Sequence, residues 1–213
     1  MSAFTPTIVG IGGTLRKGSS SELVLRRALS YAAALGARTE IFASADLDLP
    51  IYCEDRKERG ERELRLVDAM RRCDGLIFSS PSYHGSISGL LKNALDYAED
   101  LRNDGRVYLD GRPVGCIAVA LGPQAGSATL QTLRTITHAL RGWPTPAGGC
   151  VNTSGTPFGM DGRLSDPLAE KQLKIVATQV VEFACMHNAV PSHDSDLETD
   201  RFQPPRTPTS LNA

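Results

Sequence analysis

"TIVGIGGTLRKGSSSELVLRRAL" (residues 7–29) sets three kinds of segment end to end. The apolar TIVGI reads as a buried strand. SELVLRRALSYAAAL (21–35) carries apolar residues at helical spacing, with Gly36 placed to cap its end. Between them, GGTLRKGSSSEL (12–23) crowds a threonine, three serines and two basic side chains into one bend. Hydroxyls and an arginine where a strand hands over to a helix N-terminus suit an anion, a phosphate first of all.

The same alternation runs through the chain. RTEIFAS (38–44), GLIFSS (75–80), RPVGCIAVAL (112–121) and the glycine-weakened TPAGGCVNT (145–153) read as further strands. ERELRLVDAMRRC (61–73), SISGLLKNALDYAEDL (86–101), SATLQTLRTITHAL (127–140) and DPLAEKQLKIVATQVVEFACMH (166–187) read as the helices between and after them. Buried strands with helical crossovers predict an α/β three-layer, doubly wound fold. Its sheet should be five-stranded and parallel, in the order 2-1-3-4-5. One domain over 1–187 accounts for this pattern, and the proline-rich 188–213 reads as an extended tail.

Composition excludes several classes. A net charge of −1 argues against a nucleic-acid-binding face and, more weakly, against a strongly acidic electron-shuttle surface. No apolar run approaches the roughly 20 residues of a membrane helix. The opening MSAFTPTIVG lacks the basic start and apolar stretch of a signal peptide, so a cytoplasmic location is expected. Five scattered cysteines without a C-x-x-C fit a reducing compartment. Four histidines without metal-ligand spacing give no reason to expect a metal site.

The first loop fails two nucleotide motifs. Gly13 and Gly18 have P-loop spacing, but Ser19 holds the lysine position and Lys17 comes too early. Gly10 and Gly12 begin a dinucleotide fingerprint, but Leu15 stands where the third glycine should be. A single terminal phosphate suits what remains: the hydroxyls of Thr14, Ser19, Ser20 and Ser21, the free amides of a helix start, and the Arg16 guanidinium. An ordinary serine-capped helix would also account for this loop alone.

In the expected strand order, the loop after strand 1 meets the loop after strand 3, where ligands of open parallel sheets sit. That second loop, SSPSYHGSISG (79–89), offers Pro81, Ser82, Tyr83, His84, Gly85 and Ser86. Tyr83 and His84 could lie against a flat ring, and Gly85 allows close backbone approach. A tight turn with Ser86 as helix cap would explain the segment without a ligand. Phosphate and flat ring together fit FMN.

GGTLRKGSSSELVLRRAL resembles the G-S-x-R-x-x-S-x-N phosphate loop of the NADPH-dependent FMN reductase family. SSPSYHGSISGLLKNALDYA is similar to that family's P-x-Y-x-x-S-x-x-G-x-L-K-N-x-L-D segment. DLPIYCED (48–55), YLDGRPVG (108–115) and FGMDGRLSDP (158–167) also resemble its connecting segments, so the likeness spans about residues 7–187. Thr14 keeps the usual hydroxyl, whereas Ser21 replaces the family asparagine and removes an amide donor.

The resemblance implies a flavodoxin-like fold, bound FMN, and oxidation of NADPH or NADH with reduction of free flavin, a quinone, an azo compound or chromate. It places Gly13, Thr14, Arg16, Ser19, Ser20 and Ser21 at the phosphate and Pro81 to Ser86 at the ring. Gly122, Pro123 and Gln124 would lie on the ring's other side. No side chain is required as nucleophile or base, because the chemistry belongs to FMN. A homodimer or homotetramer is implied, with Tyr97 and Leu101 expected to face the partner. The acceptors left open include a partner flavin-dependent monooxygenase. A flavodoxin-type electron carrier without reductase activity is the alternative reading, and a non-catalytic module a third.

Overall fold

The computed structural model describes residues 4–154, 158–159 and 162–189. Strands β1 (Thr7–Gly12), β2 (Arg38–Phe42), β3 (Gly75–Pro81) and β4 (Pro113–Ala120) form the parallel sheet with β5 (Trp143–Pro144) and β6 (Gly149–Asn152). The path is β2-β1-β3-β4-β5, and β6 also pairs with β4. The expected order is therefore the observed one. Of the fifth expected strand (145–153) only Gly149–Asn152 pairs, as β6 beside the second half of β4, while the short β5 lies just ahead of that span against the start of β4. Pro146 interrupts the pairing because proline has no N–H to donate to a ladder.

Helices α1 (Ser20–Ala34) and α5 (Pro167–Ala189) cover one face, and α2 (Glu61–Arg72), α3 (Gly89–Asp96) and α4 (Pro123–Ala139) the other. Alternate strand residues feed the two layers. Val9, Ile11, Leu76, Phe78, Val114 and Cys116 pack with Leu66, Leu91 and Leu133, while Ile8, Ile77, Ile117 and Val119 pack with Leu25, Val176 and Val180. Burial on both faces explains why the strands read as continuous apolar runs rather than alternating ones.

Four helix limits differ from expectation. α4 begins at Pro123, so Pro123 and Gln124 lie in its first turn rather than in a loop. Proline at a first helical position lacks only an N–H that would be unpaired anyway. α3 begins at Gly89, where the Ser88 hydroxyl accepts the Leu91 N–H at 3.2 Å, so Ser88 is the cap and Ser86 is not. Tyr97–Leu101 is a 3₁₀ turn whose Tyr97 and Leu101 are fully buried within the chain, which rules out the expected partner contact for both. α5 runs to Ala189, two residues beyond the expected domain end, and 190–213 lies outside the described residues.

The long β2–α2 connection is held down by side chains from α2, α3 and the 3₁₀ turn. Asn93 accepts the Tyr52 N–H at 2.8 Å and donates to the Pro50 carbonyl at 2.9 Å. Arg59 forks onto Asp100 at 2.8 and 2.9 Å. Glu63 accepts from Arg56, from the Tyr97 hydroxyl at 2.5 Å and from the Gly60 N–H at 2.5 Å. Burial alone would raise the Glu63 carboxyl, but these three donors outweigh it and hold it down to about 2. Burial and the facing Glu63 carboxylate push Tyr97 up to about 12. Asn93, part of the K-N-x-L-D signature, thus fastens a loop.

Candidate functional site

β1 and β3 approach unusually closely at their carboxyl ends. A Cβ on Gly12 would lie 2.0 Å from the Ser79 carbonyl oxygen, which accepts the Gly13 N–H at 3.1 Å. Only glycine leaves room there. The chain then turns outward through Thr14, whose hydroxyl accepts the Arg16 N–H at 3.2 Å, and Ser19 N–H returns to the Arg16 carbonyl at 3.2 Å.

Ser19 is the α1 cap: its hydroxyl accepts the Glu22 N–H at 3.3 Å and lies 3.4 Å from the Ser21 hydroxyl. Ser79 donates to the Ser21 carbonyl at 2.9 Å, pinning the helix start to β3. Among the described residues the Ser20 and Ser21 amides have no partner, and the Arg16 guanidinium is exposed with no ion-pair partner. Two free amides at the positive end of a helix, two hydroxyls and a cation form an anion cradle.

The second loop is tighter than its sequence suggests. Tyr83 and Ser86 exchange N–H to carbonyl bonds at 2.9 and 3.0 Å, with His84 and Gly85 at φ 51° and 83°. Positive φ at both central residues marks a type I′ turn. The Tyr83 and Ser86 amides therefore serve the turn rather than a ring edge. Thr129 of α4 donates to the Ser86 carbonyl at 3.1 Å, and Ser80 accepts the Ser88 N–H at 3.0 Å, so the turn is braced from two sides.

Between these loops lies a cleft of about 470 Å³ at the carboxyl ends of β1, β3 and β4, within the size range of small-molecule sites. Of the sequence-predicted residues, Thr14, Arg16, Ser19, Ser20, Ser21, Pro81, Ser82 and Tyr83 line it. Gly13, His84, Gly85, Ser86, Gly122 and Gln124 do not. Gly13 sits beneath the loop on Ser79, residues 84–86 form the exposed turn tip, and Gly122 with Pro123 opens α4. Val119, Ala120, Leu121 and Thr153 complete the lining.

Sequence reading named Gly122, Pro123 and Gln124 here instead, because nothing local in the sequence shows that β6 carries Thr153 beside the end of β4. Leu121, the residue just past the end of β4, is 79% exposed on the cleft rim. Thr153 is fixed by its N–H to the Ala120 carbonyl at 2.9 Å. Trp143 lies at the other end of β4, against Phe183.

FMN needs a phosphate cradle, a polar side for its ribityl chain and an apolar rim for its ring. The cradle is at 14–21. The Ser82 hydroxyl is buried, lines the cleft and has no hydrogen-bond partner, and such an orphan is costly unless a bound molecule completes it. The Tyr83 ring and the Leu121 side chain are exposed on the same rim. The residues present fit the group.

A doubly wound parallel sheet with an anion cradle in a cleft at its switch point defines the class of fold: a flavodoxin-like domain with room for a mononucleotide. The family model described as NADPH-dependent FMN reductase matches residues 6–156. This chain belongs to the NADPH-dependent FMN reductase family.

A Shigella flexneri protein named NADPH-dependent FMN reductase ArsH is 27% identical over 190 residues, covering 89% of this chain and 71% of that protein. A quinone reductase of Pseudomonas putida is 32% identical over 130 residues, 60% of this chain and 67% of that protein. The alignments thus span about two thirds of these relatives' length. FerB, a flavoenzyme NAD(P)H:(acceptor) oxidoreductase from Paracoccus denitrificans, superposes with a TM-score of 0.65 at 23% identity. It covers 86% of this chain and 99% of its own, a likeness of fold.

Proposed function

We propose that the cleft holds FMN and that the protein uses it to take hydride from NAD(P)H and reduce a small acceptor. The cradle of Thr14, Arg16, Ser19, Ser20 and Ser21 would take the phosphate, Ser82 a polar group of the cofactor, and Tyr83 with Leu121 the ring margin. FMN supplies the hydride chemistry. The chain supplies the rest. The Ser20 and Ser21 amides and Arg16 anchor one end of the cofactor without any acid or base. The I′ turn fixes Tyr83, and the open side of the cleft admits the nicotinamide and then the acceptor. Free flavin, a quinone or an azo compound suits such a rim, and the quinone reductase relative supports the second.

A homodimer or homotetramer, a cytoplasmic location and delivery of flavin to a monooxygenase belong to the same reading. The first rests on the resemblance, the second on cysteines that are all free thiols. The observation that carries the reading is the phosphate cradle beside the orphan Ser82 hydroxyl. Arg16→Ala should weaken FMN by about 1.5–3 kcal/mol, roughly 10- to 150-fold in Kd, as loss of a hydrogen bond to a charged group does. Riboflavin binding should not change. Fluorescence titration with both flavins checks this, and an equal loss for both would place the phosphate elsewhere.

A further inference from the structure

Among the described residues, Glu22 is the buried carboxylate beside the cradle. It belongs to the first turn of α1, is 3% exposed, and reaches back over the loop. One carboxylate oxygen accepts the Gly18 N–H at 2.9 Å and the Ser44 hydroxyl at 2.8 Å, and the other accepts Arg26 Nε at 2.9 Å. Glu22 therefore joins three pieces of chain: the loop before α1, the helix itself and the segment after β2.

A buried anion next to a phosphate site is electrostatically adverse, so its retention calls for a return. Its partners supply that return. Ser19 and Glu22 have the spacing of a capping box, in which the glutamate would bond the cap's own N–H. Here the Ser19 N–H goes to Arg16 and the Glu22 carboxylate takes the Gly18 N–H instead. Gly18 has φ +69°, a turn that the carboxylate clamps from inside.

With Gly18 and Ser19 both engaged, the amides left at the helix start are those of Ser20 and Ser21. Arg26 and Ser44 meet the negative charge locally, and the hydrogen bonds of Ser44, Arg26 and Gly18 hold the carboxyl below its ordinary range against the cost of burial.

We propose that Glu22 is a positioning residue for phosphate recognition: by clamping Gly18 it aims the Ser20 and Ser21 amides into the cleft and so sets the preference for FMN over riboflavin. This rests on the phosphate reading above. Glu22 touches no cofactor itself.

The test measures FMN and riboflavin affinities of the full chain carrying Glu22→Ala and Glu22→Gln, with inorganic phosphate as a competing probe. Glu22→Ala should lower FMN affinity about tenfold, the scale of one or two lost polar contacts. Riboflavin affinity should stay within about twofold, and phosphate should cease to compete. Glu22→Gln keeps an oxygen for Gly18 and Ser44 and should restore most of the FMN preference. An unchanged FMN-to-riboflavin ratio in Glu22→Ala, a parallel loss of both flavins, or a Gln variant as weak as the Ala variant would each overturn the proposal. Equal wild-type affinity for the two flavins would overturn the phosphate reading itself, and this proposal with it.

Discussion

Gly12→Ala is expected to cost about 3 kcal/mol of stability or more, at the upper end of what overpacking does. The added Cβ would sit 2.0 Å from the Ser79 carbonyl oxygen and 2.8 Å from its carbon, both main-chain atoms of the central strand. Neither can swing aside as a side chain could. β1 and β3 must separate, and the Gly13 to Ser79 bond at 3.1 Å goes with them. Because that bond starts the phosphate loop, FMN binding should fall too.

Thermal unfolding should drop by roughly 6–12 °C in a domain of this size. Gly89→Ala is the control. It opens α3 with nothing within 4 Å of its added Cβ, so it should be neutral or slightly stabilising. A Gly12→Ala shift no larger than the control's would contradict the close approach of the two strands.

Acid should remove about 3 kcal/mol of stability through Glu63. In the folded protein this carboxyl is held down to about 2 from an ordinary 4.5. A depressed carboxyl contributes fully above its unfolded value, so the stabilisation is complete above about pH 4.5 and drains away as pH falls through 2. Asp100, Glu22 and Glu170 are held low as well, by Arg59, by Ser44 with Arg26, and by Arg27 with Tyr31, against burial. They steepen the same decline.

Glu63→Gln isolates one share of it. Denaturant unfolding of both proteins between pH 2 and 7 should show the variant less stable at neutral pH, with the gap closing towards pH 2. A constant gap would mean that the Glu63 charge plays no part in holding the 48–60 loop.

The sheet was legible because its strands are buried on both faces. Val9 and Ile8 point to opposite helical layers, so a plain apolar run was the correct strand signal. The phosphate loop was legible for a local reason: a serine cap, a glycine turn and an arginine all act within nine residues of one another. What escaped the reading was non-local or ambiguous. Gly122, Pro123 and Gln124 looked like a loop because glycine and proline usually break helices, yet proline also starts them. Leu121 and Thr153 reach the cleft only through the pairing of β4 with β6. Tyr83 and His84 read as a ring-facing aromatic pair with Gly85 allowing close approach; the I′ turn keeps Tyr83 on the cleft lining and sets His84 and Gly85 at its exposed tip. Glu22 drew no notice because its partner Ser44 lies far along the chain.

The most direct test of the account is the absorbance of the FMN-loaded protein mixed anaerobically with NADPH or NADH, followed by a quinone. The flavin band should bleach on nicotinamide addition and return on quinone addition, and Arg16→Ala should need more FMN for the same amplitude. A flavin band that neither nicotinamide bleaches, in protein that holds FMN tightly, would contradict the reductase reading and leave an electron carrier.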